Sequence, residues 1–368
     1  MSALNNWIST HVFNAYALFR WTDDMPIDER TSVLARSESA SELLTTRGAS
    51  LAHESGFFRL GQTFLSREDV RRGSAAVREL LARGNIKRQG RAEEVLFTFA
   101  TAPHLTRSIG QRMILHYFAH DVLFERPEPL RKAILDYVHK SLIPDDVRRR
   151  SIGHYANLAS LRHDIAKALQ AQECRTPSRD LVDVALSVGS SLIASAELLQ
   201  RLTLSTVGFT GAALEWMLLQ HRKQSADMEA EAVEDRVREI VRLSSPACRL
   251  TREVAIPFSA WGRNFPAGHE FLINIRAANR DPAAWEDPDD FIPSRWDGDS
   301  QARRNDLSFG KGARSCPAQQ AALDALGDFQ SQLDKHYRVS FYPVPFSRPL
   351  VGTLLAPPLG LVDMRRRS

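Results

Sequence analysis

The residue best suited to chemistry in this chain is Cys316, in the decapeptide Phe-Gly-Lys-Gly-Ala-Arg-Ser-Cys-Pro-Ala at residues 309–318. An apolar pattern of helical period follows it, and Pro317 suits the first position of a helix because no backbone donor is needed there. The positive end of that helix favours a thiolate over a thiol. Since the thiolate is the form of cysteine that binds metals, Cys316 is a candidate metal ligand.

The whole decapeptide resembles the haem-binding loop of cytochromes P-450, with Phe309, Gly310, Gly312, Arg314 and Cys316 at its defined positions. The resemblance implies haem b with Cys316 as the axial ligand, Arg314 as a partner of a haem propionate and Phe309 packed beside the thiolate. The two glycines would let the backbone turn tightly and approach the macrocycle where a Cβ would collide. A buried, inert cysteine beside a chance pair of glycines is the alternative.

A second group of charged residues resembles the salt-bridged triad of the same family. Glu239 and Arg242 stand three apart in Arg-Glu-Ile-Val-Arg-Leu and so share one helix face. They match the family's Glu-x-x-Arg pair, and Arg295 in Phe-Ile-Pro-Ser-Arg matches the arginine that completes it. The resemblance implies an architectural role, since a shared buried carboxylate is costly to break. A solvated pair is the alternative for Glu239 and Arg242 taken alone.

The resemblance also implies further partners for the haem propionates. Arg249, at the start of a β-like segment, corresponds to a propionate-binding arginine. His53 and Arg59 fall near where the family places two more, although their spacing is irregular and ordinary surface residues are the alternative. Ala-Asn-Arg-Asp-Pro at 278–282 and Asp-Pro-Asp-Asp-Phe at 287–291 are two more family hallmarks.

The elements that must position these residues are predominantly helical. From about residue 93 to 335 helical periodicity prevails, with one break at about 249–306 that carries short β-like runs, including a strand predicted at 270–275. We therefore expect a mainly α protein with a smaller β-rich lobe. The resemblance implies the cytochrome P-450 fold as a single domain over residues 1–368, with the haem between the central helix and the cysteine loop at 309–318.

The central helix departs from the family pattern. Family monooxygenases carry an acid followed by a threonine that relay protons to dioxygen, and these positions fall here on Gly208 and Phe209. A shift of one residue would bring Thr210 to the alcohol position, but no register supplies the acid. Glu197 and Glu215 are the nearest carboxylates, about three turns before and nearly two turns after. These three central positions are the predicted catalytic ones, and misalignment of a weakly patterned helix is the alternative.

The front of the chain is also shorter than in the family. Only a few residues separate Leu43 and Leu44 from His53, where family members place a long loop that roofs the substrate pocket. We therefore expect a more open pocket, or one closed by a partner or a second copy.

The charge and cysteine content of the chain limit the classes of partner and compartment that we expect. The formal net charge is +4 and the pI near 9.1, with basic residues spread among acidic ones, which disfavours nucleic-acid binding. Three widely spaced cysteines favour a reducing compartment over a disulfide framework. We find no signal-peptide pattern and no apolar run of about eighteen residues, so we expect a cytoplasmic protein without a membrane partner.

Three functions are compatible with these patterns. The resemblance implies a monooxygenase that inserts oxygen from O2 into a small hydrophobic metabolite, as in secondary-metabolite tailoring. Its electrons would come from a ferredoxin-type donor, which a positive patch of Lys311, Arg303 and Arg304 would attract. The missing acid–alcohol pair points instead to a haem-thiolate enzyme that uses peroxide, or that couples or rearranges its substrate. A catalytically silent helper protein is the third reading, which the intact cysteine loop disfavours.

Overall fold

The structure is a computed structural model that describes residues 22–52, 64–88, 90–107, 109–142, 152–221, 232–298, 301–351 and 354–367. Helices dominate, as predicted. They are α1 (Ser37–Thr45), α2 (Arg67–Arg88), α3 (Arg91–Phe99), α4 (Ile109–Tyr117), α5 (Ala119–Leu123), α6 (Glu128–Leu142), α7 (Ile152–Leu169), α8 (Leu181–Val188), α9 (Leu192–Thr203), α10 (Thr210–His221), α11 (Val233–Ser244), α12 (Ile275–Ala278), α13 (Gln301–Asn305) and α14 (Gln319–His336).

Short strands make up the smaller β portion. They are β1 (Met25–Asp28), β2 (Thr31–Leu34), β3 (His104–Leu105), β4 (Arg249–Glu253), β5 (Phe258–Ala260), β6 (Arg263–Phe265), β7 (Glu270–Asn274), β8 (Tyr337–Pro343), β9 (Leu350–Val351), β10 (Leu355–Ala356) and β11 (Gly360–Arg366).

The chain divides into two compact units. The first takes the described residues within Met1–Arg59, Arg238–Cys316 and Val351–Leu355, and the second those within Leu60–Val237, Pro317–Leu350 and Ala356–Ser368. Each unit is therefore assembled from segments that lie far apart in the sequence. That a single domain spans residues 1–368 stays a prediction.

A four-stranded sheet in the order β1-β2-β7-β4 forms the centre of the first unit. Its strand β7 is buried on both faces: Leu272 packs against Val33 on one face, while Phe271 and Ile273 join the cluster that contains Leu43 of α1. A strand buried on both sides favours the continuous apolar run seen in this part of the sequence. The strand predicted at 270–275 is present but ends one residue early, because the Asn274 side chain accepts a hydrogen bond from Ala277 N (3.1 Å) and starts α12.

The core of the second unit contains one long helix, Leu192–His221, in which the wide π-helical turn Leu204–Phe209 joins α9 to α10. Of the described helices it alone is long and apolar enough to cross a membrane. Most of its residues are buried against neighbouring helices, and a single such helix is weak support for a membrane span. It packs closely on α4, since a Cβ placed on Gly110 would lie 2.0 Å from the Gly211 carbonyl oxygen.

The second unit also holds a three-stranded antiparallel sheet with β11 between β3 and β8. One face of this sheet is buried and carries Val339, Val362 and Met364. The other face is open to solvent and carries Leu361, which stands opposite Tyr342 on β8 and Leu105 on β3. This alternation follows the two-residue period of a β-strand.

Candidate functional site

The loop before Cys316 closes on itself through backbone hydrogen bonds. Cys316 N donates to Phe309 O (2.8 Å), and Gly310 N donates to Leu307 O (2.9 Å). Gly310 and Gly312 both have φ of +69°, a left-handed conformation that glycine adopts without a steric cost. The half-buried Cys316 is therefore held at a fixed place next to Phe309.

The two glycines of the loop meet different requirements. A Cβ on Gly312 would lie 2.4 Å from the carbonyl oxygen of Leu44, so this glycine lets the loop pack against α1. A Cβ on Gly310 would meet no atom of the chain closer than 3.8 Å, so within the chain its requirement is the left-handed backbone alone. Gly312 was expected to leave room for the macrocycle. In the structure it leaves room for the backbone of α1 at Leu44.

The helix after the cysteine begins later than predicted. It starts at Gln319, and Pro317 lies in the turn before it. Ala318, with φ −104° and ψ 14°, is the N-cap residue, and its carbonyl accepts the hydrogen bond of Ala322 N (3.0 Å). The proline therefore shapes the exit from the loop and is not the first residue of α14.

Side chains tie the cysteine loop to the elements beside it. Lys311 Nζ donates to Ser41 Oγ of α1 (3.0 Å) and to Arg304 O, and Arg314 Nη2 donates to Leu51 O (3.1 Å). Burial lowers the pKa of Lys311. This amine, which was expected to attract an electron donor, is thus turned inward to hold the loop.

Arg252 and Arg314 lie near enough beside this loop for their charges to interact. Arg252 on β4 is buried, its Nε has no hydrogen-bond partner, and burial followed by the neighbouring Arg314 cation lowers its pKa to about 10. The described groups that act on Arg252 include no carboxylate. A buried cation such as Arg252 is stabilised by an anion, and the carboxylates of a prosthetic group fit that requirement.

Arg252 is a further candidate partner of a haem propionate, and the propionate-binding role that the resemblance implies for Arg249 stays a prediction. Arg249 lies on β4 with a buried Nη1 that has no partner, but side chains alternate along a strand, so Arg249 and Arg252 occupy opposite faces. Leu250, on the same face as Arg252, is the side chain next to Gly310 of the loop. His53 and Arg59 lie outside the described residues.

The structure joins the three residues of the predicted triad. Arg242 binds Glu239 through two hydrogen bonds (Nη2–Oε1 2.7 Å and Nε–Oε2 2.8 Å), and Arg295 Nε reaches Glu239 Oε1 at 3.0 Å. Glu239 and Arg242 are fully buried. Trp296 Nε1 (3.0 Å) and Ile292 N (3.1 Å) also donate to the carboxylate, so a buried charge is fully satisfied and fixes the segment that precedes the cysteine loop.

The π-helical turn bears on the register of the central helix. Gly208 and Thr210 are buried, whereas Phe209 is only half-buried. The side of the helix that is buried changes along this turn. The helix accommodates the change because a π-helical turn contains more residues than an α-helical turn. The assignment of Gly208, Phe209 and Thr210 as the catalytic positions stays a prediction.

Glu197 and Glu215, the carboxylates nearest to the position of the missing acid, make contacts with other elements. Glu215 accepts a hydrogen bond from Gly110 N (3.2 Å) at the start of α4, and burial raises its pKa to about 8. Glu197 binds Arg201 on the same helix and accepts a hydrogen bond from Phe64 N (2.8 Å). Both carboxylates therefore join the central helix to other elements of the second unit.

Sequence comparison identifies a family over one part of the chain. The cytochrome P450 family model matches residues 220–359. A cytochrome P450 705A22 of Arabidopsis thaliana is 30% identical over 144 residues, which are 36% of this chain and 28% of that protein. An amorpha-4,11-diene 12-monooxygenase of Artemisia annua is 37% identical over 86 residues, 22% of this chain and 17% of that protein. The matched regions thus span less than a third of these curated relatives.

Comparison of structures covers nearly the whole chain. A retinoic acid-bound cyanobacterial CYP120A1 has a TM-score of 0.71 at 20% identity, covering 92% of this chain and 89% of that one. P450 OxyD, which is involved in the biosynthesis of vancomycin-type antibiotics, has a TM-score of 0.69 at 17% identity, covering 97% of both chains. At these identities the likeness establishes the fold.

The cofactor of this family is haem held by a cysteine thiolate, and the region matched by the family model contains Cys316, the buried Arg252, the half-buried Arg314, and the Glu239 triad. The closed cysteine loop and the buried cationic site beside it fit that cofactor. Residues 220–359 therefore match the cytochrome P450 family, and the chain shares the fold of these P450 structures.

Proposed function

We propose that this chain is a haem-thiolate monooxygenase that oxidises a small hydrophobic metabolite, with O2 as oxidant and electrons from a ferredoxin-type donor in the cytoplasm. The observation that carries the proposal is the loop closed by the hydrogen bond from Cys316 N to Phe309 O, with the buried Arg252 and the half-buried Arg314 beside it. Haem bound through a cysteine thiolate supplies oxygen activation, because the thiolate favours cleavage of the O–O bond.

The chain's own residues hold and shape that site. Cys316 supplies the sulfur ligand, and the left-handed turn at Gly310 fixes where it lies. Arg252 and Arg314 supply cations for the carboxylates of the prosthetic group, and each charge-assisted hydrogen bond of this kind contributes about 1.5–3 kcal/mol. Arg314 is itself fixed by its bond to Leu51 O.

An apolar substrate is supported by two segments of the first unit. Pro246 accepts a hydrogen bond from Leu355 N (2.8 Å), which brings the segments 246–248 and 354–355 together. Cys248, Leu354 and Leu355 are buried. Ligand sites are usually lined by apolar side chains with few polar groups. Relatives named for the oxidation of amorpha-4,11-diene and of tabersonine support a metabolite of this class.

A second candidate function keeps the same cofactor but takes oxygen from a peroxide, or couples or rearranges the substrate. It is favoured by Gly208 and Phe209, which put no acid and no hydroxyl where family monooxygenases relay protons. A positioned proton donor typically contributes about 10²–10⁴-fold in rate, so its loss would slow the use of O2 more than the use of peroxide.

One isotope experiment separates the two functions. The haem-loaded protein is supplied with a panel of terpenes and indole alkaloids, first with ferredoxin, its reductase, NADPH and ¹⁸O2, and then with H2¹⁸O2 alone. Incorporation of ¹⁸O from O2 supports the monooxygenase. Incorporation from peroxide alone supports the second candidate, and Phe209→Thr should then raise the O2-driven rate. No turnover by a haem-loaded protein under either condition would contradict both.

A further inference from the structure

The open face of the β3-β11-β8 sheet carries a continuous apolar row. Leu361 on the middle strand stands opposite Leu105 on one side and Tyr342 on the other, so the three side chains are neighbours across the sheet. Their exposed fractions are 42%, 54% and 57%. Three large apolar side chains in one row on an open sheet face indicate a contact surface more than a scatter of single exposed residues does.

A turn at the end of β8 extends this row. Val344 is 42% exposed, and Phe346 is fully exposed, with φ of +60°. The turn is held in shape because Val344 N donates to Leu359 O (3.0 Å) and Leu359 N donates to Ser347 Oγ (2.7 Å). A bulky residue kept in the left-handed region at a fully exposed position is strained, and such strain is often associated with function.

Arginines border the same face. Arg338 on β8 stands opposite Arg365 on β11, two rows along the sheet from the apolar row, and both are exposed. Asp363, between them and the apolar row, is largely buried and binds Arg365 (2.9 Å). Among the described residues of this face, the exposed charges are therefore all positive.

We propose that this face, defined by Leu105, Tyr342, Val344, Phe346 and Leu361 with the border of Arg338 and Arg365, binds reversibly to an anionic lipid surface. Its apolar centre and protruding phenyl ring suit the boundary between headgroups and acyl chains, and its uniform positive border suits anionic headgroups. A second copy of the chain would bring only the same arginines to this face, with no acidic side chains to meet them. The proposal is independent of the proposed catalytic function and revises the expectation of no membrane partner.

Co-sedimentation of the haem-loaded protein with vesicles tests the proposal. One set of vesicles is pure phosphatidylcholine, and the other contains about one third phosphatidylserine, which gives the surface its negative potential. We expect binding only to the second set. Raising the ionic strength from about 0.1 M to about 1 M, which shortens the Debye length from ~10 Å to ~3 Å, should release the protein.

Three variants locate the contact. Phe346→Asn keeps a residue that tolerates the left-handed backbone and should weaken vesicle binding several-fold. Arg338→Ala should weaken it about fivefold, the equivalent of ~1 kcal/mol for one arginine at an anionic surface. The matched control is Ile256→Asn, which removes a side chain that is 60% exposed in the first unit and should leave binding unchanged.

Three results would overturn the lipid assignment. The first is equal binding to both kinds of vesicle, and the second is an equal loss in the Ile256→Asn control. The third is concentration-dependent dimerisation without vesicles that Phe346→Asn abolishes, since a second copy of the chain would then be the occupant. The circular dichroism and haem spectra of each variant should match those of the parent protein. This control distinguishes a loss of vesicle binding from a loss of fold.

Discussion

Arg252 is buried in the first unit near the half-buried Arg314, and its burial together with the Arg314 cation lowers the pKa of Arg252 to about 10. Such an arrangement is unfavourable until an anion arrives, because a buried charge is costly without a partner. The site is therefore less stable when it is empty, and it binds carboxylates strongly. This relationship predicts opposite effects on the empty and the haem-loaded protein.

Arg252→Met should stabilise the haem-free protein and weaken its binding of haem. Removing a buried, unbalanced cation should raise the free energy of unfolding of the apoprotein by about 1–2 kcal/mol. Loss of a charge-assisted hydrogen bond should raise the haem dissociation rate about 10–100-fold. Urea unfolding and haem transfer to apomyoglobin measure the two quantities. A variant that retains haem like the parent would exclude Arg252 as a ligand of the propionates.

The Glu239–Arg242 pair should be essential for stability. Arg242→Ala leaves a fully buried carboxylate with one fewer partner and should lower the free energy of unfolding by about 3–5 kcal/mol. The matched control is Arg71→Ala, which breaks an exposed pair with Glu68 that has the same spacing of three residues and should change stability little. Equal effects of the two substitutions in urea unfolding would show that burial of the triad has no energetic consequence.

Gly312→Ala should be more damaging than an alanine at another left-handed glycine. At Gly312 the new Cβ would meet the Leu44 carbonyl, whereas at Gly268, with φ of +82°, it would meet open space. Both variants bear the cost of the left-handed backbone, about 1–2 kcal/mol, and only the first adds a collision. Thermal unfolding should therefore rank Gly312→Ala below Gly268→Ala, with haem content falling only in the former. The reverse order would argue against close packing of the cysteine loop on α1.

Glu215 should make stability fall as the pH rises. Burial raises the pKa of Glu215 to about 8, well above the ordinary value of 4.5 for a glutamate side chain. The folded protein thus binds this proton more tightly than the unfolded chain, so the stabilisation is complete below pH ~4.5 and is lost as the pH rises towards 8, by at most ~1.4 kcal/mol per pH unit. Glu215→Gln should flatten this part of the profile in urea unfolding from pH 5 to 8. A variant whose profile keeps the parent's slope would show that another group titrates.

The sequence predicts local motifs well and tertiary partners poorly. The cysteine loop, the three-residue spacing of Glu239 and Arg242 and the strand at Glu270–Asn274 depend on contiguous residues, so their patterns were visible in the sequence. That Arg252 lies beside the loop depended on which face of β4 meets the loop, which the order of residues does not reveal. The helix start at Gln319 depended on the conformation of Ala318, which no neighbouring residue type dictates.

Longer-range features were outside the reach of sequence patterns. The π-helical turn at Leu204–Phe209 alters the register of a helix whose periodicity is weak, so counting along the sequence left two positions open. The apolar row of Leu105, Tyr342 and Leu361 comes from three segments that only the sheet register brings together. Taken alone, each of the segments β3, β8 and β11 has the pattern of an ordinary short strand.

The central claim is that Cys316 is the thiolate ligand of haem, and the spectrum of the reduced, carbon monoxide-bound protein tests it most directly. We predict a strongly red-shifted Soret band in the parent protein and its loss in Cys316→Ser, with Cys248→Ser as the control that keeps it. A parent protein without the shifted band, or a Cys316→Ser variant that retains it, would contradict the assignment.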